Sequence, residues 1–329
     1  MHRKKKWVRF ILWVLGIILA FELGLRPFGY GRYVIYRPDE RLLWVPVPGH
    51  NKLTVVNHLP DNINAQGFRY KEDLEPKKSG QLRIFTFGDS VTDGWGVADD
   101  QTYSSVLEKL LNSSSCPRHI FQVVDAGVNA YSNSLAADRL KAVINDNYDP
   151  DVVILAYSFN TSFEQYDYLQ GQERQKMLRR VALKSWARRS AIYNFLIEDL
   201  LRDLVYYRAR RLLIQGSWKT QKSAPDMDPA PYKVKLNDAW QLCQRHNIPM
   251  VILMLGSLDQ RTDLDQYQVT LLDFARDHQL PLVNMMDVLR SKDQEPYYMD
   301  HVHPTPIGHE LIAGELYKVV RPLVSDCNQ

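Results

Sequence analysis

From residue 81 onward the chain alternates short apolar runs with helix-like stretches, and this alternation limits its fold more than any other feature. The apolar runs predict strands at Leu82–Phe87, Phe121–Asp125, Val152–Tyr157, Met250–Leu255 and Pro281–Asn284. Helical periodicity lies between and after them, near Thr102–Leu111, Ser134–Asn145, Tyr232–His246, Gln266–His278 and Pro306–Val320. Strands that are apolar along their whole length are typical of a parallel sheet covered by helices on both faces. The sequence therefore predicts a three-layer α/β/α sandwich.

The N-terminus carries a basic cluster followed by an apolar segment. Counted from Trp7 to Leu25, this segment has the length of roughly 17–25 residues that a membrane-spanning helix needs. A cleaved secretory signal has the same basic start and short apolar centre, but no small-x-small cleavage site follows Ala20. We therefore expect an uncleaved single-pass anchor in the cytoplasmic (inner) membrane. Because positive charge stays on the cytoplasmic side, the rest of the chain is expected to be extracytoplasmic (periplasmic).

The sequence divides into three segments: 1–25, the basic tip and anchor; 26–80, a stalk or cap; and 81–325, the main domain. Segment 26–80 is rich in Pro, Gly, Asn, Tyr and Arg, and its strand-like pieces are Arg32–Tyr36 and Leu53–Val56. We predict that it leads into the main domain as a stalk and small cap.

A basic insertion at about 164–230 interrupts the α/β alternation and predicts two helices, Gln172–Arg189 and Ala191–Ile214. From Arg174 to Lys222 there are 13 Lys/Arg and 3 Asp/Glu, or +10, so the rest of this chain of net charge +3 sums to −7. One interpretation is a two-helix lid whose arginines are solvated. The other is a surface that contacts anionic headgroups or an acidic polymer. Nucleic acid is not an expected partner, because the chain is exported and contains no recognised binding module.

Four short motifs place polar residues where strands end or in the last loop. They contribute Ser90 in Gly-Asp-Ser, Gly127 after the second strand, Asn160 after the third, and the pair Asp300 and His303. Because ligands bind at the carboxyl ends of parallel strands, these residues are expected to meet at one sheet edge. A serine becomes a strong nucleophile when a base takes its proton and a carboxylate orients that base. A glycine N–H and an asparagine amide are suitable oxyanion donors.

His303 is the expected base because two residues separate it from Asp300, which lets the carboxylate reach one imidazole nitrogen. His301 and His309 are rival bases, and together with His303 they also suggest a metal site. We expect no metal and no cofactor, because no further His, Cys or Glu cluster completes such a site.

Together, the order and spacing of the four motifs resemble the SGNH (GDSL-type) hydrolase family in its membrane-tethered bacterial form. The resemblance covers roughly Leu82 to Val320, apart from the basic helical insertion, and Asn64–Arg69 looks like the lead-in found in tethered members. It implies a flavodoxin-like fold, Ser90 as nucleophile, and His303 oriented by Asp300. It further implies an oxyanion hole made of the backbone of Ser90 and Gly127 with the Asn160 side chain. The third motif departs from the usual Gly-x-Asn-Asp, since Ser158 and Thr161 replace its Gly and Asp.

These features predict a serine esterase or acylhydrolase that cleaves an O-acyl ester on an extracytoplasmic glycan or lipid, with the membrane as a further partner. An O-acyltransferase acting on cell-surface polysaccharide would use the same residues. A non-catalytic, membrane-anchored partner in polysaccharide assembly is a third possibility, although a scaffold does not need an intact set of catalytic side chains.

Overall fold

A five-stranded parallel sheet forms the centre of the protein. In this computed structural model, which describes residues 2–113, 119–202, 228–258 and 264–324, the sheet order is β4-β3-β5-β6-β7. Its strands are β3 Gln81–Phe87, β4 Ile120–Asp125, β5 Val152–Ala156, β6 Met250–Met254 and β7 Leu282–Asn284. All four neighbouring pairs are parallel. The chain leaves β3 toward β4 on one side and returns to β5 on the other, so a crevice opens at the carboxyl ends of β3 and β5.

Helices cover both faces of the sheet. The helices α3 Tyr103–Ser113, α9 Met285–Leu289 and α10 Pro306–Val324 pack on one face. The helices α4 Asn133–Asn145, α7 Ala230–Arg245 and α8 Gln266–Asp277 pack on the other face. Because each strand has helices on both sides, its side chains are buried in both directions, which explains the uninterrupted apolar runs. The predicted flavodoxin-like α/β/α sandwich is confirmed, and each sheet strand lies within one residue of its predicted position.

The N-terminal part begins with helix α1, His2–Leu25, and a 3-10 turn, Arg26–Phe28. Within the described residues, the stretch Lys5–Phe28 is long and apolar enough to span a membrane or to serve as a signal sequence, and none of its most apolar window is buried. An antiparallel hairpin follows, made of β1 Tyr36–Asp39 and β2 Leu43–Pro46. The residues of β2 pack with Tyr131 and Leu135, so the hairpin rests on the main domain.

The strand-like pieces predicted in segment 26–80 are wrong. Arg32–Tyr36 reaches the hairpin only at its last residue, and Leu53–Val56 forms no strand beyond single bridges from Leu53 to Tyr33 and Pro60. Gly29 and Gly31 have φ values of 93° and 82°, which turn the chain just before the predicted strand.

The insertion begins with a 3-10 segment, Thr161–Tyr168, and continues with α5 Gly171–Ala187 and α6 Ala191–Tyr193. The predicted Gln172–Arg189 helix is therefore present. The predicted Ala191–Ile214 helix starts at α6 and continues as a π-helix, Asn194–Leu201; its part beyond Arg202, which includes Arg208, Arg210 and Arg211, lies outside the described residues. The remaining short helices are α2 Ser90–Asp93 and the 3-10 turns Asp99–Gln101 and Glu295–Tyr297.

Candidate active site

Ser90 begins the short helix α2 immediately after β3. Gly88 makes this turn possible, because a β-carbon there would lie 2.1 Å from Thr92 Oγ1 and 3.2 Å from Ala156 Cβ. The Asp89 side chain accepts a hydrogen bond from Val91 N at 2.9 Å and so caps the helix. The turn therefore holds Ser90 at the carboxyl edge of the sheet, where ligands bind in folds of this kind.

Ser90, His303 and Asp300 form a continuous hydrogen-bonded chain. Ser90 Oγ lies 2.8 Å from His303 Nε2, and His303 Nδ1 lies 2.8 Å from Asp300 Oδ2. The other oxygen of Asp300 accepts the backbone N–H groups of Val302 and His303, each at 2.9 Å. Burial raises the pKa of Asp300, but the hydrogen bonds and charge of His303 and the two backbone N–H groups together lower it to about 2. The carboxylate is therefore ionised and fixes the imidazole ring.

The two rival histidines lie in different surroundings. The ring of His301 is half exposed, and its Nδ1 lies 3.9 Å from Asp300 Oδ1. His309 is fully buried and accepts the backbone N–H of Tyr103 at 3.1 Å. Burial, aided by the charges of Arg69 and His303, lowers the pKa of His309 to about 3, so this ring is neutral. Among the described residues, no group of three or more His, Cys, Asp and Glu side chains could hold a metal ion.

Asp89 links the nucleophile turn to the loop that carries Asn160. Its Oδ2 accepts hydrogen bonds from Ser158 Oγ at 3.1 Å, Phe159 N at 3.0 Å and Asn160 Nδ2 at 3.1 Å. The Asn160 amide also lies 3.2 Å from the carbonyl oxygen of Tyr131. Both amide hydrogens therefore have acceptors within the protein, and the predicted role of Asn160 as an oxyanion donor stays a prediction.

Ser158, the residue that replaces a glycine of the family motif, is fully buried in this network. Its hydroxyl lies 2.6 Å from the carbonyl oxygen of Tyr131 and 3.1 Å from Asp89 Oδ2, and it accepts Asn160 N at 3.3 Å. The departure from the motif thus adds a link between the Asp89 carboxylate and two neighbouring loops.

Gly127 lies beneath the nucleophile turn. A β-carbon on it would lie 2.4 Å from Asp93 N and 2.8 Å from the carbonyl carbon of Thr92. Its N–H donates to Asp125 Oδ1 at 2.8 Å, so a role as oxyanion donor, which stays a prediction, would require this bond to be given up. In the structure the glycine permits close packing of β4 against α2.

The sequence offered no signal for Ala130, which adopts φ 64° in the loop after β4. It lines a cavity near the site, and among the described residues its N–H has no hydrogen-bond partner. A glycine at this position would have marked the left-handed backbone, whereas an alanine does not.

Arg69, the last residue of the predicted lead-in, supports the loop that follows Ser90. Its guanidinium donates to the carbonyl oxygens of Asp93, Gly94 and Val97 and forms ion pairs with Asp61 at 3.2 Å and Asp99 at 3.0 Å. Only 2% of its side chain is exposed. The lead-in is therefore a structural support of the site.

A cavity of about 410 Å³ lies between segment 26–80 and the insertion. Ser90, His303 and Asp300 do not line it, but Asp93 and Trp95 of the loop after Ser90 do. Trp95 is on its wall, and the indole packs against the His303 imidazole with ring centroids 4.3 Å apart. Asp93 and Ala130 also line it. Burial raises the pKa of Asp93 well above its ordinary value, with the nearby Asp61 charge adding to the effect. Much of the remaining wall is apolar or aromatic, including Val34, Tyr36, Trp44, Leu53, Tyr166, Met177 and Val181.

Comparison with known proteins gives a match to one family. Residues 86–311 match the GDSL-like Lipase/Acylhydrolase family. A comparison with curated protein sequences found no match. Similar solved structures include a member of the lipolytic protein G-D-S-L family from Veillonella parvula DSM 2008, with 15% identity, a TM-score of 0.44, and coverage of 73% of this chain and 98% of that one. The psychrotrophic esterase EstA from Pseudoalteromonas sp. has 12% identity, a TM-score of 0.44, and coverage of 73% and 97%. Since the family match spans more than half of the sequence, the chain belongs to the GDSL-like lipase/acylhydrolase family and is a hydrolase that acts on ester bonds.

Proposed function

We propose that this hydrolase is a membrane-anchored serine esterase that cleaves an O-acyl ester on an extracytoplasmic glycan or lipid. The observation that carries the proposal is the hydrogen-bonded chain from Ser90 Oγ through His303 to Asp300, with both intervening distances at 2.8 Å. The apolar stretch of α1 and the basic residues at the start of this helix support an anchor in the inner membrane with the active site on the periplasmic side.

Both halves of the proposed reaction, acylation of Ser90 and hydrolysis of the acyl-enzyme, use this geometry. Ser90 Oγ attacks the acyl carbonyl carbon while His303 Nε2 takes the hydroxyl proton. The ionised Asp300 stabilises the imidazolium and keeps its Nδ1–H in place. The tetrahedral intermediate collapses when His303 gives its proton to the departing alcohol, which leaves an acyl group on Ser90. Water then attacks this ester with His303 again acting as base, and the acid is released.

The negative oxygen of the intermediate requires donors close to Ser90. Predicted donors are the N–H groups of Ser90 and Gly127 and the Asn160 amide. The N–H of Ala130 is a further candidate, because it has no partner among the described residues and lies on the cavity wall. Loss of one such donor typically lowers kcat by about 10²–10³-fold. Asn160→Ala is expected to cause a loss of this size if the amide leaves Tyr131 O and turns toward the intermediate.

The proposal is tested with the full chain in detergent micelles. A fluorophosphonate probe is expected to label the wild type and not Ser90→Ala. Likewise, the wild type is expected to hydrolyse aryl esters and Ser90→Ala is not. His303→Ala should lower kcat by about 10²–10⁴-fold, the usual contribution of a general base. His301→Ala is the matched control and should keep most of the activity, because the half-exposed His301 ring takes no part in the hydrogen bonds that join Ser90, His303 and Asp300. Equal losses in both variants would refute the assignment of His303.

Transfer to a sugar hydroxyl would use the same acyl-enzyme. Incubation with a labelled acyl ester and an acceptor polysaccharide separates the two reactions, since hydrolysis releases the label as free acid. Label found on the polysaccharide would replace the esterase proposal by the transferase. A wild type that neither labels with the probe nor cleaves esters would favour the non-catalytic assembly partner.

A further inference from the structure

The end of α1 is fastened to the insertion rather than joined to it by a loose linker. The Glu22 carboxylate accepts hydrogen bonds from Ser190 Oγ at 2.8 Å, Ala191 N at 2.9 Å and Ile192 N at 3.1 Å. It also pairs with Arg26 at 2.8 Å. The single acidic side chain of α1 thus satisfies two free N–H groups at the start of α6.

The residues that follow α1 continue this contact. Gly31 N donates to Asn194 Oδ1 at 2.8 Å, and a β-carbon on Gly31 would lie 3.4 Å from the carbonyl oxygen of Arg189. Asn194 in turn donates to the carbonyl oxygen of Arg188 at 2.9 Å. The C-terminal end of α5 is therefore held beside the point where the chain would leave a membrane.

Helix α5 has two different faces. Its inner face carries the buried Leu178 and the cavity-lining residues Met177, Val181, Ser185 and Arg188. Its outer face carries Lys176, Arg179, Leu183 and Trp186, which follow one another at helical spacing and are all exposed.

The large apolar side chains of this outer face are unusually exposed. Leu183 is 67% exposed and Trp186 is 71% exposed, and both lie in the part of α5 nearest to the end of α1. Phe28, in the turn after α1, is 71% exposed as well. Arg179 and Arg180 precede these two residues on the helix, about two turns before Trp186. A helix with Trp and Leu at one end of its exposed face and basic residues beside them is typical of proteins that lie in a membrane interface.

We propose that the outer face of α5, with Phe28, is a second membrane-contact surface that rests in the lipid interface next to α1. In this arrangement Leu183, Trp186 and Phe28 enter the acyl–headgroup boundary, and Arg179 and Arg180 reach anionic headgroups. The occupant is the same bilayer that α1 is proposed to cross, since Glu22 and Gly31 hold the residues that directly follow α5 against the end of α1. The inference rests on that anchoring and does not depend on the proposed reaction.

The contact would also set the position of the cavity. Because the inner face of α5 lines the cavity while the outer face lies on lipid, the cavity is held within the width of one helix, about 10 Å, of the membrane surface. A substrate carried by a lipid would then reach the active site without leaving the interface.

The experiment uses the full chain with its cysteines replaced by alanine, reconstituted in vesicles of phosphatidylcholine and phosphatidylglycerol. A bimane label is placed at Trp186→Cys, and lipids with a nitroxide near the headgroup serve as quenchers. Ile120→Cys is the matched control, since Ile120 is 68% exposed and begins β4, at the sheet edge opposite to Ser90. We expect strong quenching at 186 and little at 120.

Equal, weak quenching at both positions in a vesicle-bound chain would overturn the second contact while leaving the anchor in place. A chain that does not stay with the vesicles would overturn both. In a separate arm, Trp186→Glu should reduce the hydrolysis of a vesicle-embedded ester by about tenfold and leave a water-soluble ester unaffected. Loss on both esters points to a failure of the proposed function or of the fold, and the quenching data still decide the contact.

Discussion

Replacement of Ser158 by alanine tests the network around Asp89 most directly. The hydroxyl is fully buried and lies 2.6 Å from Tyr131 O and 3.1 Å from Asp89 Oδ2. Alanine removes the one hydroxyl proton that Tyr131 O and the buried Asp89 carboxylate share, and it removes the acceptor of Asn160 N. A hydrogen bond to a charged group contributes about 1.5–3 kcal/mol, so the free energy of unfolding should fall by about 2–3 kcal/mol. In a domain of this size that lowers Tm by roughly 4–12 °C.

The chain provides a matched control at Ser134. This side chain is also fully buried, but its hydroxyl has no hydrogen-bond partner in the part of the chain that the structure describes. Ser134→Ala makes the same chemical change without the loss of a bond, and its Tm should stay within about 2 °C of the wild type or rise. Thermal unfolding of both variants in detergent micelles gives the comparison. Equal Tm values for Ser158→Ala and Ser134→Ala would refute the argument.

Activity separates a supporting role from a chemical one. Ser158 does not touch Ser90, His303 or Asp300, so kcat of Ser158→Ala at a temperature well below its Tm should fall by less than about tenfold. A loss of about 10³-fold in a folded variant would mean that the hydroxyl acts on the reacting groups.

Three further predictions concern other buried positions. His309→Asn should flatten the loss of stability on acidification, because the unfolded histidine binds a proton near pH 6.5 and the folded one only near pH 3. Stability is then lost as pH falls, and between pH 6.5 and 5 the wild type should lose about 1.6 kcal/mol more than the variant. Arg69→Lys should lower the free energy of unfolding by about 3–5 kcal/mol and slow fluorophosphonate labelling, because an ammonium cannot reach the same carbonyl and carboxylate groups. Gly127→Ala should lower Tm and the labelling rate together, since its β-carbon would lie 2.4 Å from Asp93 N and the turn around Ser90 would have to move. Such overpacking costs about 1–3 kcal/mol of stability.

Each of these has a simple contrary result. Parallel plots of Tm against pH for wild type and His309→Asn would mean that the pKa of His309 is the same in the folded and the unfolded chain. Wild-type stability in Arg69→Lys, measured by thermal unfolding, would mean that the ion pairs and carbonyl contacts are replaceable. Unchanged labelling in a destabilised Gly127→Ala would separate the packing under α2 from the reactivity of Ser90.

The sheet and the hydrogen-bonded set of Ser90, His303 and Asp300 were predictable from the sequence, because both depend on short-range patterns. Each strand is an apolar run that ends where a polar residue begins, and the carboxyl ends of parallel strands must share an edge. The turn at Gly88 and the reach of Asp300 to His303 depend only on local backbone geometry. The sheet and the positions of Ser90, Asp300 and His303 could therefore be predicted without knowledge of contacts between distant parts of the chain.

The hairpin and the donor groups were not predictable, because they depend on contacts between distant parts of the chain. The hairpin turns at Leu43, which has φ 62°, a conformation that a leucine does not signal. Pro38 lies in the first strand of the hairpin, where sequence reasoning argues against a strand. Asp89 looked like an ordinary motif residue, and only the arrangement of its own turn and the loop 158–160 shows that its carboxylate accepts four hydrogen bonds.

The predicted boundary between segment 26–80 and the main domain stays a prediction. Hydrogen bonds across this boundary support the loop around Ser90. Arg69 lies before it and donates to three carbonyl groups of the nucleophile loop after it. Arg139 crosses it in the other direction, from α4 to the carbonyl oxygen of Gly67 at 2.9 Å. The cavity wall also takes residues from both sides. Because buried carbonyl groups without donors cost free energy, a chain that began at Gln81 would leave the loop around Ser90 under-supported. Segment 26–80 is therefore physically part of the candidate active site, and helix α1 is connected to that site through it.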